Sequence, residues 1–146
     1  MAPSDHAGAH ALWRSSEGIG LSAADGPDAV ARYLARNPGM SFVACAGEDI
    51  VGTVLCGHDG RRGYLHHLAV APAWRRSGLG RALAERGLEA LRREGIDRCH
   101  LFVKRGNQPA ADFWARTGWF ERADLRMFSR DLPLSGTRDT GSSGDG

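Results

Sequence analysis

The first 40 residues carry two amphipathic patterns of helical period, separated by a polar loop. Each pattern has a polar cap residue at its start and a breaker at its end. The two predicted helices run from Ser4 or Asp5 to about Ser16, and from Asp25 or Asp28 to Arg36. Asn37-Pro38-Gly39 ends the second of them. The loop between them is rich in Gly, Ser and Ala, and offers Glu17 and Asp25 as its only acidic side chains before the second helix.

Three apolar runs of strand type follow. They are "SFVACA", "IVGTVLCG" and "YLHHLAV", at residues 41–46, 50–57 and 64–70. Gly47-Glu48-Asp49 joins the first two, and the turn "HDGRRG" with its Asp-Gly pair joins the second to the third. Connections this short predict an antiparallel meander of three strands.

Beyond the meander, helical and strand patterns alternate. A helix is predicted over 79–94 and ended by Gly95; a strand over 98–103; a helix from an Asn107 cap to about Arg116; and one or two strands between 119 and 132. A helical crossover joins the strand at 64–70 to the strand at 98–103, so these two are predicted to be parallel. The fold class is therefore α/β, a mixed central sheet with flanking helices.

Length and composition are those of one globular domain. We predict a domain over residues 1–132 and a disordered Gly/Ser-rich tail over 133–146. The sequence has no apolar run of membrane-spanning length and no signal-peptide pattern, and its three separated cysteines form neither a CxxC pair nor a zinc site. We expect a cytoplasmic protein without metal or membrane contact. A net charge of +2 is too small to favour nucleic acid, and the basic residues are not interleaved with aromatic ones.

The stretch "RRSGLG" opens the helix at 79–94 and carries the first sign of chemistry. A helix N-terminus exposes backbone N–H donors, glycine allows an anion to approach them, and arginine adds charge and forked donors. The stretch therefore favours a pyrophosphate-binding loop, the alternative being a strand-to-helix turn with a solvated basic rim. It lacks the Gly-Lys-Ser/Thr of a Walker A loop, and Leu83 stands where a dinucleotide fingerprint needs a third small residue.

Two motifs resemble a known family. Arg75-x-x-Gly78-x-Gly80, preceded by Leu68-Ala69-Val70, is similar to the acetyl-CoA signature of the GCN5-related N-acetyltransferases, the GNAT family. Asn107, Ala110, Phe113-Trp114 and Gly118-Trp119 resemble that family's second motif, at a fitting spacing. Within the family, "VGTVLCGHDGRRG" resembles small bacterial acetyltransferases of the YpeA kind. The resemblance covers about residues 4 to 132 and implies a GNAT fold, in which the parallel strand pair splays apart.

The resemblance also implies how acetyl-CoA, as cosubstrate, would be held. The backbone of Leu68, Ala69 and Val70 would bond the pantetheine arm, and an N–H there would polarise the thioester carbonyl. The pyrophosphate would lie on backbone N–H groups and nearby side chains of the loop. These loop residues are Arg75, Arg76, Ser77, Gly78, Leu79, Gly80 and Arg81. Asn107 would tie the second motif's helix to the cofactor, or act as a plain N-cap.

The acceptor amine must lose a proton before it attacks, and histidine titrates in the right range to take it. The run "YLHHLAV" resembles a His-Leu-His-Val-Leu-Ala-Val run of the aralkylamine acetyltransferase branch. His66 matches its second His, and Tyr64 stands at the first. Strand alternation places Tyr64, His66 and Leu68 on one face and Leu65, His67 and Ala69 on the other. His66 is the candidate base and Tyr64 the alternative proton acceptor; a packed histidine without catalytic role is the competing interpretation.

The sequence departs from the family pattern at two places. The chain begins almost at its first helix, so the family's opening strand is absent or trimmed. The family's tyrosine, which protonates the CoA thiolate, is Trp114 here, and an indole N–H is not a usable acid. The expected function is transfer of acetyl to a primary amine of a small molecule or peptide. The alternative is a CoA-binding sensor or interaction module with weak catalysis. The family likeness also suggests a homodimer.

Overall fold

The computed structural model describes residues 1–134, and the chain forms two compact units, Met1–Gln108 and Pro109–Gly146. The helices are α1 His6–Ser15, α2 Pro27–Arg36, α3 Leu79–Arg93 and α4 Gln108–Arg116. The strands are β1 Phe42–Ala46, β2 Asp49–His58, β3 Gly63–Val70 and β4 Cys99–His100. Turns of 3-10 helix lie at Pro3–Asp5, Ala23–Asp25 and Pro72–Trp74. The predicted tail at 133–146 lies outside the described residues except for its first two, and the domain limits 1–132 stay a prediction.

The four strands form one mixed sheet in the order β1-β2-β3-β4. β1 and β2 pair antiparallel, as do β2 and β3, which confirms the meander; β3 and β4 pair parallel, as the helical crossover predicted. β4 has only two residues, so the prediction of a strand over 98–103 was wrong in length. The residues after His100 carry strand-type side chains, but a strand also needs a partner, and β3 has already diverged there.

The final strands predicted between residues 119 and 132 are a second error. In the described part of the second unit, residues 119–134 carry no strand. Their apolar side chains are largely exposed: Phe120, Leu125, Met127, Phe128 and Leu132. Apolar alternation marks residues that suit a pleated surface, but the ladder forms only where a neighbouring strand supplies hydrogen bonds.

The start of α2 also differs from its prediction. Its N-cap is Gly26, followed by Pro27 in the first turn, and neither Asp25 nor Asp28 caps it. Asp25 is buried and its carboxylate accepts a hydrogen bond from the Ser22 backbone N–H at 2.9 Å. The carboxylate therefore closes a capping box around the preceding 3-10 turn, Ala23–Asp25.

Helices cover both faces of the sheet in the first unit. On one face α1 and α2 pack on β2 and β3 through the buried side chains of Ala9, Leu12, Trp13, Val30, Leu34, Leu55 and Ala69. On the other, α3 lies so close that a Cβ on Gly52 or Gly63 would collide with Leu83 or Leu91. Gly87 of α3 in turn allows Cys56 and Leu65 to approach that helix. Within residues 1–134 no helix is both long and apolar enough to span a membrane.

Candidate active site

β3 and β4 separate after a single pair of rungs. Gly63 pairs with Cys99 and Tyr64 with His100, while β3 continues to Val70. Among the described residues no ladder follows these two rungs on the β4 side of β3. Residues 65–70 therefore present a backbone edge to the gap between the diverging strands. An extended chain with amide groups can add to such an edge as a further strand.

A β-bulge lies in the middle of this edge. Leu55 pairs with His66 and Thr53 with Ala69, so Val54 faces two residues of β3, His67 and Leu68. His67 has a φ of +50°, a left-handed conformation uncommon for any residue but glycine. A bulge bends its strand and increases the local twist, which is how β3 turns away from β4 here.

The bulge overturns the predicted alternation of β3. Leu65 packs toward α3, whereas His67 contacts Trp13 of α1, with ring centroids 4.8 Å apart, and Ala69 belongs to the core under α1 and α2. His66 also faces this side, since its ring lies edge-on to Tyr33 of α2 at 6.5 Å. The extra residue brings both histidines to one face, and the expectation that His67 lies opposite His66 was wrong.

A buried polar network holds the bulge. The His67 Nε2 lies 2.6 Å from the Asp25 carboxylate, and both side chains are more than four-fifths buried. The Thr53 hydroxyl donates to the His67 carbonyl at 2.8 Å and accepts from the Trp13 indole N–H at 2.9 Å. We call these four residues, Trp13, Asp25, Thr53 and His67, the bulge clamp. It joins α1, the α1–α2 loop, β2 and β3 at one point.

The surroundings of the His66 ring favour its neutral form. Burial lowers its pKa, the His67 charge lowers it further, and the Asp25 charge opposes both. A histidine with a lowered pKa is neutral at pH 7, which is the form that a general base requires. The other candidate, Tyr64, lies beside it in β3, with the two rings nearly parallel and 6.3 Å apart.

The predicted phosphate loop is an exposed turn that leads into α3. Arg76 and Gly78 have left-handed φ values of +62° and +82°, and Gly78 is the N-cap of the helix. The first helical bond runs from the Ala82 N–H to the Gly78 carbonyl, so the N–H groups of residues 79–81 precede the helical ladder. The Arg75 guanidinium donates to the Val70 carbonyl at 3.1 Å, which ties the loop to the end of β3.

Asn107 lies beside the α1–α2 loop. Its Nδ2 occupies the space that a Cβ on Gly18 would need, and the Lys104 ammonium lies 3.2 Å from the corresponding position on Gly20. The stretch that follows β4 thus contacts the loop that precedes Asp25. Gly18, whose φ is +84°, allows this approach because it has no side chain.

The remaining side chains of interest are the cysteines, possible metal ligands and the tryptophans. Burial raises the pKa of the Cys56 and Cys99 thiols to about 12, so neither is a thiolate at neutral pH. In residues 1–134 no three His, Cys, Asp or Glu side chains are grouped as metal ligands. Trp13 is fully buried in the core. Within the second unit, Trp114 packs against Phe113 and Trp119, with ring centroids at 4.9 and 5.2 Å.

Sequence reasoning missed three participants of this site. Asp25 and His67 belong to the bulge clamp, and the Phe102 ring lies 6.4 Å from that of His66. Ser22-x-x-Asp25 was a usable signal for Asp25, because that spacing forms a capping box. No local signal announces a bulge at His67, since it depends on what packs behind it.

A family model named the acetyltransferase (GNAT) family matches residues 8–119 of this chain. A curated acetyltransferase of Pectobacterium atrosepticum is 36% identical over 78 residues, which are 53% of this chain and 55% of that protein. The chain thus spans little more than half the length of that relative.

Solved structures match over most of the chain. Ard1 of Thermoplasma volcanium superposes with a TM-score of 0.73 at 19% identity, over 84% of this chain and 81% of its own. The PaiA N-acetyltransferase of Thermoplasma acidophilum, solved in complex with coenzyme A, gives 0.70 at 17% identity, over 81% and 85%. At these identities the structures show the fold alone. Together with the family match over residues 8–119, they confirm the resemblance found in the sequence: this chain belongs to the GNAT family of acetyltransferases.

Proposed function

We propose that this protein transfers an acetyl group from acetyl-CoA to a primary amine of a small molecule or peptide, by direct attack within a ternary complex. The observation that carries the proposal is the open edge of β3 at residues 65–70, which ends at a helix start with free N–H donors. The edge suits the amide groups of pantetheine, and the helix start suits a pyrophosphate. Arg75 connects the edge to the helix start, because its guanidinium donates to the Val70 carbonyl.

The residues that would hold acetyl-CoA follow from this arrangement. The backbone of Leu68, Ala69 and Val70 would bond the arm, and one of its N–H groups would polarise the thioester carbonyl. The loop residues Arg75 to Arg81 would hold the diphosphate, through backbone N–H groups and the exposed guanidinium groups of Arg75 and Arg76. Asn107 would tie the helix that follows it to the cofactor.

His66 would act as the base. An amine with a lysine-like pKa near 10.4 arrives as an ammonium and gives one proton to neutral His66, directly or through one water. The nitrogen lone pair then forms the bond to the carbonyl carbon, the carbon–sulfur bond breaks, and its electron pair stays on the sulfur. The second N–H proton is released, and the sulfur takes a proton to leave as the CoA thiol. Trp114 cannot supply that proton, so solvent or another group does.

The test is acetyl-CoA binding followed by turnover. Acetyl-CoA at one hundred times its Kd should stabilise the fold by about 2.7 kcal/mol, and NAD and ATP should do much less. CoA thiol release with a panel of amines then measures transfer. Equal thermal shifts from all three nucleotides would contradict the cofactor proposal.

A CoA-binding sensor is the second candidate, and Trp114 at the family's tyrosine position favours it. Binding of acetyl-CoA without thiol release across the amine panel would support the sensor. The Trp114→Tyr variant separates the two further. It should increase turnover if the protein is an enzyme that lacks an acid, and should leave a sensor inactive.

Two further features of the proposal concern the setting. We propose a homodimer, which sedimentation at high protein concentration would show as a doubled mass; a monomer there would contradict it.

We also propose that the protein acts in the cytoplasm, where its three cysteines, all unpaired, would remain thiols.

A further inference from the structure

The peptide group between His67 and Leu68 is held by a side chain of the neighbouring strand. Its carbonyl, which belongs to His67, accepts a hydrogen bond from the Thr53 hydroxyl of β2 at 2.8 Å. This peptide is trans, and in a trans peptide the carbonyl and the N–H point in opposite directions. The Leu68 N–H therefore points away from Thr53.

The alternation of backbone groups along β3 gives the Leu68 N–H the same direction. Just past the last rung with β2, the Ala71 N–H donates to the Val51 carbonyl of β2 at 2.8 Å. The N–H groups of a strand alternate between its two edges, so that of Val70 points away from β2, and so does that of Leu68 two residues earlier. The edge opposite β2 borders the gap between β3 and β4. The two observations agree that the Leu68 N–H faces this gap.

The Thr53 hydroxyl has only one orientation available to it. The Trp13 indole N–H lies 2.9 Å from its oxygen, and an indole N–H can only donate. The single hydroxyl hydrogen is therefore committed to the His67 carbonyl. Thr53 and Trp13 each have an exposed fraction of 0%, so water cannot replace either partner.

The carbonyl bond complements the bond that His67 makes through its side chain. A left-handed backbone such as that of His67, with a φ of +50°, persists outside glycine only where its surroundings fix it firmly. Asp25 holds the imidazole at 2.6 Å, but a bond to the ring leaves the plane of the following peptide free to rotate. Thr53 fixes that plane, and with it the direction of the Leu68 N–H.

We propose that Thr53 is a positioning residue for acetyl transfer: it aims the Leu68 N–H at the acetyl carbonyl of acetyl-CoA by holding the His67 carbonyl from behind. The inference rests on the proposed function and adds to it the side chain that directs one backbone donor. Negative charge develops on the carbonyl oxygen as the amine attacks, and a donor already in place stabilises that charge without reorienting during the reaction.

The first measurement is infrared spectroscopy of bound acetyl-CoA that is isotope-labelled at the acetyl carbonyl, with the complete protein and no amine. In the wild type the hydrogen bond should lower the carbonyl stretching frequency below that of free acetyl-CoA. Thr53→Val has nearly the same shape but no hydroxyl, and should return the frequency toward the free value. Thr53→Ser restores the hydroxyl and should recover the wild-type frequency.

Binding and turnover give a second pair of readouts. In Thr53→Val the preference for acetyl-CoA over CoA, measured by calorimetry, should fall about twofold to tenfold, the worth of one hydrogen bond. We expect kcat to fall roughly tenfold to a hundredfold, less than when a donor is removed outright. The loss in kcat should exceed the loss in affinity, because the charge on the oxygen is greatest in the transition state.

Ser41→Ala is the matched control for a loss of stability alone. The Ser41 hydroxyl is also buried and bonded twice, accepting from the Cys56 N–H at 3.0 Å and donating to the Cys56 carbonyl at 3.4 Å. These bonds lie outside the bulge, so the variant should be less stable but keep the wild-type frequency and kcat. Thr53→Cys carries a weaker donor and should give an intermediate frequency, which decides the question if Thr53→Val does not fold.

The outcomes separate this inference from the proposed function. A Thr53→Val protein with the wild-type frequency would overturn the role of Thr53, as would an equal change in Ser41→Ala. A frequency shift that depends on Thr53, without acetyl transfer to any amine, supports the aiming of the Leu68 N–H and rejects the transferase. Acetyl transfer without a shift that depends on Thr53 supports the transferase and overturns the role of Thr53. A protein that does not bind acetyl-CoA overturns both.

Discussion

The bulge clamp and the predicted phosphate loop, residues 75–81, meet the same strand but are built in opposite ways. The clamp holds the middle of β3 with side chains that are buried and bonded to one another. The loop at the end of β3 is exposed, and its shape comes from backbone conformation at Arg76 and Gly78. One region is held by tertiary contacts between distant residues, whereas the other is encoded in a few consecutive ones.

This difference decides how each region should respond to mutation. Removing a buried partner leaves another polar group without a hydrogen bond, so a change in the clamp affects the stability of the fold. Removing an exposed loop side chain buries no unpaired polar group, because water replaces its hydrogen bonds. A change in the loop should therefore alter ligand binding more than the stability of the fold.

The largest effect is expected for His66→Gln, which preserves size and hydrogen bonding but removes titration. If His66 is the base, kcat/KM should fall roughly 10²-fold, with acetyl-CoA affinity nearly unchanged. In the wild type, kcat/KM should rise with pH through an ionisation below the ordinary histidine pKa of about 6.5, because burial lowers the pKa of His66. The variant should lack that rise. A wild-type rate with the same pH profile would remove His66 from the mechanism.

The same ionisation predicts a change in stability. Because the folded-state pKa of His66 lies below that of the unfolded chain, the unfolded chain binds the proton more strongly. Stability should therefore decrease as pH falls below about 6.5 and stop decreasing below the folded pKa. Urea unfolding at several pH values measures this, and His66→Gln should reduce the acid sensitivity. An unchanged slope in the variant would place the titrating group elsewhere.

A smaller effect is expected when the clamp itself is changed by Asp25→Asn. The amide retains the shape but loses the charge that His67 contacts, which should lower the free energy of unfolding by about 1.5–3 kcal/mol, the worth of a hydrogen bond to a charged group. Asp97→Asn is the matched control, because Asp97 pairs with Arg62 at 2.9 Å but its side chain is 85% exposed. Exposed pairs contribute little, so this variant should unfold like the wild type. Equal losses in the two variants would mean that burial does not distinguish the pairs.

The clamp and the loop also show what a sequence can and cannot predict. The helices, the meander and the parallel pair followed from period, turn residues and the crossover rule, all of which are local. The turn that leads into α3 followed for the same reason, since its glycines and arginines lie within one short stretch; its binding of phosphate stays a prediction. β4 shrank to two residues, and residues 119–134 formed no strand, because a strand depends on a partner that periodicity does not reveal.

The prediction of the sheet face on which His67 lies was wrong for a related reason. Alternation is a reliable guide only while the register holds, and one inserted residue reverses every assignment beyond it. The insertion is held by Trp13, Asp25 and Thr53, which lie 14 to 54 residues away in the chain. The sequence predicted Asp25 only as a helix cap or a loop charge, because nothing near it points to His67.

The smallest effect, and the sharpest control, comes from two glycines at opposite ends of α3. Gly78 and Gly95 have nearly equal φ values, +82° and +77°, and a Cβ at either would meet no atom within 4 Å. Valine at either position therefore introduces the same kind of backbone strain, of the order of 1–3 kcal/mol, which equal losses of stability in thermal unfolding would reveal.

Only Gly78 lies at the helix start, where a side chain would stand between an anion and the backbone donors. Gly78→Val should weaken acetyl-CoA binding about tenfold beyond Gly95→Val, the worth of one or two hydrogen bonds. Calorimetry on both variants, each checked for folding by circular dichroism, gives the ratio. If both bind acetyl-CoA equally well, the phosphate does not lie on the start of α3, and the loop is only a turn between β3 and a solvated helix.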